Sequence, residues 1–371
     1  MDYMEQALSL ARLALGQVSP NPAVGAVVVK NDVVVGQGYT QVAGSAHAEI
    51  MALRQAGEQT RGSMMYVTLE PCCHYGRTPP CSQTIIAAGI AEIHLAMLDP
   101  NPLVSGRGKE ELEREGIKTC VGEHEEEARE INEAYVKFIT TGIPFVTAKF
   151  AVSLDGKIAT KSGDSKWISG EEARKQVHSL RYITDAIMVG VNTVLADDPL
   201  LTCRCCGGRG GMARKQPLRV VVDGKGQTPP TAQLFSEPGK TLLALGRSAT
   251  LEEVTAFAQV GAELLELPLT EGLVDLEKLL KALGEQEITS VLVEGGGILL
   301  GSLFDCGLVD RVIAFIAPII IGGKEAKTAV SGKGVDKVAD SLKLERVNVE
   351  RFGEDLMVSG YVSPKTRQTK I

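Results

Sequence analysis

Positive charge is in short supply in this sequence: 39 lysines and arginines face 46 aspartates and glutamates, a net of −7. A protein that coats nucleic-acid backbones takes most of its affinity from a basic face, so that class is disfavoured. Cysteine is also sparse, eight in 371 residues, too few for a disulfide-built scaffold and in keeping with a reducing cytoplasm. No apolar run is long enough to span a bilayer; the longest, over 312–321, is interrupted by Pro318. The opening Met1-Asp2-Tyr3-Met4-Glu5 is acidic and starts an amphipathic pattern, unlike the apolar core of an export signal. No internal repeat is visible. The expectation is a cytoplasmic protein with no membrane and no nucleic-acid partner.

What is present is the composition of a folded chain: 44% hydrophobic and 23% charged residues, at a mean hydropathy of +0.05. The length suggests about two to three domains. Charge is unevenly placed. Residues 1–143 hold 11 basic and 18 acidic groups, whereas the remaining 228 hold 28 of each. Glu123, Glu125, Glu126, Glu127, Glu130 and Glu133 read as the solvated face of one helix.

Apolar spacing predicts a helix over 3–16 and a hairpin of strands 24–29 and 33–38 joined at Lys30-Asn31-Asp32. A helix over 48–56, a strand over 64–69, a helix opening at Pro80-Cys81 and a strand over 93–97 follow. This βαβαβ rhythm argues an α/β layer fold. A boundary falls within 140–144, and the alternation then restarts. Strands are predicted over 146–152, 186–191, 218–222, 241–245, 264–267, 290–293 and 311–317, and helices over 171–181, 251–260, 273–283 and 298–305. Residues 363–371 read as a frayed polar tail.

His47-Ala48-Glu49 is weak on its own, an ordinary helix start. It gains meaning from Glu70-Pro71-Cys72 and, nine residues after Cys72, from Pro79-Pro80-Cys81. Each half falls where a predicted strand meets a helix, and helix N-termini direct N–H groups and partial positive charge at thiolates. One imidazole and two thiolates make three zinc ligands and leave a fourth position for water, the open arrangement of a catalytic site. The metal lowers the pKa of its water, while Glu49, two residues from His47, stands beside the ion as a proton carrier. Zinc nucleobase deaminases divide the labour in this way, with H-x-E and P-C-x-x-C patterns. Here eight residues separate the cysteines instead of two. Cys73 and His74 are rival ligands, but adjacent residues rarely reach one tetrahedral ion, which favours Cys72 over Cys73. Arg77, in the polar spacer, suits a substrate phosphate through its planar fork of donors.

Asn21-Pro22-Ala23-Val24-Gly25, His47-Ala48-Glu49, Thr68-Leu69-Glu70-Pro71-Cys72, Gly76-Arg77-Thr78-Pro79-Pro80-Cys81 and Asp99-Pro100-Asn101-Pro102 resemble the bifunctional riboflavin-biosynthesis deaminase/reductase family. That family shares the wide cysteine spacing. The resemblance implies that His47, Cys72 and Cys81 bind one Zn2+ per chain, that Glu49 carries protons, and that Asn21, His74, Arg77 and Asn101 meet the substrate. One departure is Thr40, where the family often has a histidine after Gly38-Tyr39.

The resemblance runs on to about Val362. Lys149-Phe150-Ala151-Val152-Ser153-Leu154-Asp155-Gly156-Lys157-Ile158-Ala159 looks like the opening strand and turn of a dihydrofolate-reductase-like domain, and Ser165-Lys166-Trp167-Ile168-Ser169 follows in its place. Val291-Leu292-Val293-Glu294-Gly295-Gly296-Gly297 is a strand entering glycines and then a helix, where backbone can approach phosphate. It is not G-x-G-x-x-G, because Leu300 holds the last position. The resemblance implies an NADPH site lined by Ala151, Trp167, Thr193, Asp197 and Gly224, with Gly296, Gly297, Ile298, Leu299, Leu300, Gly301 and Ser302 at its phosphates. It implies a substrate site of Ser165, Arg181, Leu201, Arg204 and Glu294. Arg204 sits among Cys203, Cys205 and Cys206, where an exposed loop insertion and a metal cluster are rival readings.

The expected organisation is a cytidine-deaminase-like α/β/α deaminase over 1–143, a dihydrofolate-reductase-like α/β reductase over 144–362 and a tail over 363–371. The implied reactions are hydrolytic deamination of 2,5-diamino-6-(5-phosphoribosylamino)pyrimidin-4-one and NADPH-dependent reduction of its ribosyl chain to give 5-amino-6-(5-phosphoribitylamino)uracil. The implied partners are this small molecule and further copies of the chain, as a dimer or tetramer. A tRNA-type zinc deaminase with an appended nucleotide-binding domain is the alternative; it predicts a basic face near the zinc, yet this half is the acidic one. A structural zinc beside a nucleotide sensor is a third reading, but structural sites usually close all four positions.

Overall fold

The computed structural model describes residues 2–75, 79–204 and 216–363. Arg77, Cys205, Cys206 and positions 364–371 lie outside the described residues. The chain divides into two compact units, Met1–Ile143 and Pro144–Ile371.

The first unit runs α1 (Tyr3–Ala14), β1 (Gly25–Lys30), β2 (Val33–Tyr39), α2 (Ala48–Ala56), β3 (Met64–Val67), α3 (Cys81–Ala88), β4 (Glu92–Leu95), α4 (Arg107–Arg114), β5 (Lys118–Val121), α5 (Glu125–Ile131) and α6 (Glu133–Thr141). The predicted hairpin forms between β1 and β2, turned at Asn31 and Asp32 with φ of 50° and 61°. Asn and Asp tolerate that left-handed backbone, which matches the twist of a two-residue hairpin. The sheet order is β2-β1-β3-β4-β5, with β1 antiparallel to both neighbours and β3, β4 and β5 parallel.

Alternation along the strands sends one set of side chains to each face. The Gly25 face of β1 meets α1, and Gly36 and Gly38 of β2 meet α2. A Cβ at Gly36 would stand 2.2 Å from the Ala52 carbonyl, so only glycine lets α2 lie this close to the strand. Val27, Val28, Met65, Ile93 and Leu95 are fully buried in the resulting core.

The single acidic helix expected across 123–133 is instead two helices. Asn132 breaks them with φ −108°, ψ 18°, and its side chain accepts from Ala23 N at 2.8 Å and donates to Ala23 O at 3.0 Å. The amide does the work of a backbone pairing partner, which is why the helix stops there. The glutamates do face solvent, none of the six being buried, while Ala128 packs inward. α4 and β5 were not predicted: their charged sequence leaves only Leu112 and Gly108 of α4 buried, too little to reveal a period.

The second unit runs β6 (Phe145–Ser153), α7 (Glu171–Ile183), β7 (Ala186–Gly190), α8 (Val191–Asp197), β8 (Leu218–Asp223), β9 (Thr241–Leu245), α9 (Leu251–Gln259), β10 (Ala262–Glu266), β11 (Leu269–Thr270), β12 (Leu273–Val274), α10 (Leu276–Glu285), β13 (Ser290–Val293), α11 (Gly297–Asp305), β14 (Arg311–Ala317), β15 (Leu344–Phe352) and β16 (Asp355–Val362). Its nine-stranded sheet has the order β10-β9-β8-β7-β13-β6-β14-β16-β15, parallel from β10 to β14, with β16 antiparallel to both β14 and β15. Burial on both faces explains the continuous apolar strands: Ile187, Met188 and Val189 of β7 are fully buried, as are Val220 and Val221 of β8.

Some boundaries differ from expectation. The helix predicted over 273–283 starts at Leu276, because the Asp275 side chain accepts from Lys278 N and caps it there. Leu273 and Val274 belong to a short hairpin instead. Ser363, assigned to the frayed tail, is buried and donates its N–H to Lys343 O at 3.2 Å.

Candidate active sites

The first site gathers at two helix starts. His47 is the N-cap of α2, Cys81 is the first residue of α3, and Cys72 lies in the segment that leaves β3. Their donor atoms lie within 4.8 Å of one another. His47 Nδ1 is 3.2 Å from Cys81 Sγ and 3.7 Å from Cys72 Sγ. Ligands on a tetrahedral zinc stand about 3.6 Å apart for a nitrogen–sulfur edge, so the set fits the ion. Cys73 is not part of this cluster.

The electrostatics point the same way. Cys72 is pulled down to about 4, first by the Cys81 side chain donating to it and then by His47 and the Cys81 N–H. Cys81 is pushed up, because Cys72 beside it already holds the negative charge and burial adds to that cost. The pair thus retains a proton that a divalent cation would displace.

Glu49 is buried in the first turn of α2. Burial raises its carboxyl above the ordinary range, and the neighbouring Cys72 charge raises it further. A carboxyl raised in this way, beside the three donors, is suited both to take and to return a proton.

Other expected residues lie around this centre in different ways. His74 Nδ1 is buried and meets no hydrogen-bond partner among the described residues, as suits a group awaiting a ligand. Asn101 sits in the loop after β4, with its Oδ1 accepting from Leu103 N at 3.0 Å. Asn21 is half-buried before β1. Thr40 faces inward: its hydroxyl accepts from Val24 N at 3.1 Å and it closes the end of the hairpin.

Glu70 is buried and accepts backbone N–H groups from Asp99 (3.1 Å), Gly106 (2.9 Å) and Lys109 (3.0 Å). It pins the loop that carries Asn101. Asp99 is raised to about 6, chiefly by burial, and accepts from Tyr135 Oη at 2.9 Å. The signal for Glu70 was available, since a carboxylate followed by Pro-Cys is an unusual strand end.

In the second unit the expected substrate residues Arg181 and Glu294 meet each other. Arg181, on α7, donates to Glu294 at 2.5 and 3.0 Å, and Lys149 of β6 lies 3.7 Å from the same carboxylate. Burial alone pushes Glu294 up, but Arg181 and then Lys149 outweigh it and hold the group down at about 2. Burial lowers Lys149 below its ordinary range. This lysine was missed; a cation inside an otherwise apolar strand was the available signal. Arg181 also donates to Thr202 O at 2.8 Å, which ties it to the segment carrying Leu201 and Arg204.

Ser165 donates to Asp197 at 2.8 Å, joining an expected substrate residue to an expected cofactor residue. Trp167 is exposed beneath the Arg174 guanidinium, 4.8 Å from the ring centre. Ala151 packs against the Ile313 and Phe315 core, and Gly224 follows β8. Gly295 and Gly296 adopt φ of 106° and 85°, and a Cβ at Gly296 would stand 3.5 Å from Thr193 Oγ1. Of the expected phosphate loop, Gly297 and Ile298 lie in the first turn of α11, where N–H groups are free of helical partners. Leu299 belongs to that turn with its side chain buried. Leu300 already donates its N–H to Gly296 O, Gly301 packs on the Ser331 backbone, and Ser302 Oγ donates to Ile298 O. Cys203 is buried, its N–H donating to Gln216 at 2.9 Å.

Two domain families match. Residues 1–97 match the cytidine and deoxycytidylate deaminase zinc-binding region, and residues 144–358 match the RibD C-terminal domain. Fold and site together define a zinc-type deaminase domain followed by a reductase domain of dihydrofolate-reductase-like fold. A riboflavin biosynthesis protein RibD of Aquifex aeolicus is 44% identical over 96% of this chain and 97% of its own length. A solved RibD of Acinetobacter baumannii superposes with a TM-score of 0.87 at 36% identity, covering 97% of this chain and 98% of that one. A Thermotoga maritima structure, a diaminohydroxyphosphoribosylaminopyrimidine deaminase/5-amino-6-(5-phosphoribosylamino)uracil reductase, gives 0.85 at 35% identity, with the same coverage of 97% and 98%. The chain belongs to the RibD family of riboflavin biosynthesis proteins.

Proposed function

We propose that this chain is a bifunctional riboflavin-biosynthesis enzyme. It deaminates 2,5-diamino-6-(5-phosphoribosylamino)pyrimidin-4-one in its first unit and reduces the ribosyl chain in its second, yielding 5-amino-6-(5-phosphoribitylamino)uracil. The observation that carries the reading is the three-donor cluster His47, Cys72 and Cys81 with the buried Glu49 beside it. Zinc held by these three residues would lower the pKa of its water and so supply a hydroxide nucleophile near neutral pH. Glu49 would take one proton from the attacking water and give it to the ring nitrogen, then take the second from the new hydroxyl and pass it to the departing amine, which leaves as ammonia. His74, Arg77, Asn21 and Asn101 hold the substrate against this centre.

In the second unit NADPH supplies the hydride. Arg181 and Glu294 orient the ribose, Ser165, Leu201 and Arg204 complete the substrate site, and Trp167, Ala151, Thr193, Asp197 and Gly224 hold the cofactor. The first-turn N–H groups of α11 receive its phosphate. The same reading places the enzyme in the cytoplasm as a dimer or tetramer. Among the described residues no helix is long and apolar enough to cross a membrane.

The test is Glu49→Gln assayed for both reactions. Ammonia release is expected to fall by about 10² to 10⁴-fold, the usual contribution of a positioned acid–base group. Zinc content should stay at wild-type level, and NADPH oxidation with the deaminated intermediate should survive. Undiminished ammonia release would overturn the role of Glu49; simultaneous loss of both activities would count against separate sites.

A further inference from the structure

The first unit carries a second set of metal-type donors on the face of its sheet opposite α2. Glu92 and His94 are two residues apart on β4 and so share a face. Cys120 of β5 is the register partner of His94, and Tyr66 of β3 is its partner on the other side. Tyr66 stacks on the imidazole at 4.4 Å and touches Tyr3 of α1, which fixes the face as the α1 side.

The donor atoms of Glu92, His94 and Cys120 lie within 4.8 Å of one another. His94 Nε2 is 3.1 Å from Glu92 Oε1, and Cys120 Sγ is 3.7 Å from that same oxygen. The corresponding edges of a tetrahedral zinc site are about 3.4 Å for N–O and about 3.6 Å for S–O. The other ring nitrogen, Nδ1, lies 3.3 Å from Glu123 Oε2. A carboxylate at that position accepts a hydrogen bond from Nδ1–H and so fixes the tautomer whose Nε2 lone pair faces the other donors, as outer partners of metal-bound histidines do. The site is also reachable, because His94 and Glu92 are 19% and 22% exposed and β5 is the edge strand. One group opposes a cation here: Lys118 Nζ is 2.8 Å from Glu92 Oε1, on a side chain that is itself 68% exposed and able to leave.

We propose that Glu92, His94 and Cys120 form a second, exchangeable site for a zinc-class divalent ion, with Glu123 orienting the histidine. One nitrogen, one sulfur and one carboxylate select a borderline ion such as zinc or cobalt over magnesium or calcium. The ion clamps the edge strand β5 to β4, away from the cluster at His47, and its effect is on stability rather than on turnover.

The experiment is calorimetric titration of zinc chloride into full-length protein already carrying one equivalent of zinc. Wild type is expected to take up one further equivalent, and Cys120→Ser and His94→Ala are each expected to lose it. Glu123→Gln should weaken it by about tenfold, the usual effect of removing an outer partner. Lys118→Met should tighten it by up to about fivefold, the worth of an exposed ion pair. All four variants should keep the first equivalent and wild-type ammonia release, which checks that they fold. Excess zinc should raise the unfolding temperature of wild type but not of Cys120→Ser. Absence of a second equivalent in wild type, its persistence in both Cys120→Ser and His94→Ala, or weaker uptake by Lys118→Met would each overturn the proposal. Loss of the first equivalent instead would point to the His47 cluster.

Discussion

Glu294 keeps its negative charge where burial alone would neutralise it, because Arg181 and Lys149 converge on one carboxylate. Its folded value, about 2, lies below the unfolded value of about 4.3. The stability it contributes is therefore fully present above the unfolded value and is lost as pH falls through that window toward the folded one. Glu294→Gln is expected to cost about 3–5 kcal/mol at neutral pH, since it leaves buried cations uncompensated. The variant should also lose the acid-limb slope that this carboxylate gives wild type. Urea unfolding across the acid range measures both effects, and an unchanged slope would show that the carboxylate is not the titrating group. Residues that act through neighbours in sequence, such as His47 and Glu49, were legible from their motif. The Arg181–Glu294 contact was not, because its partners come from α7 and the end of β13, which only the sheet order brings together.

At the scale of elements, close approach and breaks decide where the site stands. Gly36→Ala is expected to destabilise by about 1–3 kcal/mol, because a Cβ cannot share space with the Ala52 carbonyl. Pushing α2 outward also moves its N-cap His47, so weaker zinc retention by metal analysis should accompany the shift in denaturation midpoint. Asn132→Ala removes the side chain that satisfies the Ala23 N–H and carbonyl, at an expected cost of about 1–3 kcal/mol read by chemical denaturation. Elements with a clear period and a local cap were legible, among them the β1–β2 hairpin and α2. The β15–β16 hairpin was not: nearly every residue of β15 is exposed, and an edge strand with charge on both faces has no hydrophobic alternation to read.

Across the whole molecule each unit has its own buried core, so loss of the metal should act on one reaction only. Stripping zinc with a chelator is expected to abolish ammonia release while NADPH oxidation with the deaminated intermediate continues; re-addition of zinc restores the first. Calorimetry should then show a lowered transition for the deaminase unit and an unmoved one for the reductase unit. The sequence by itself determined the chemistry on offer, because ligand type and motif spacing are local properties: one histidine, two cysteines nine residues apart and a carboxyl two residues from the histidine. It also determined the α/β class, through periodicity. Only the tertiary structure decided which groups are charged and which are tied up, because burial and partners come from distant segments. That is how Glu70 becomes a loop anchor and His94 faces Cys120 across two parallel strands. The shortage of positive charge belongs to the first unit, whereas in the balanced second unit Arg181 and Lys149 converge on the one carboxylate of Glu294.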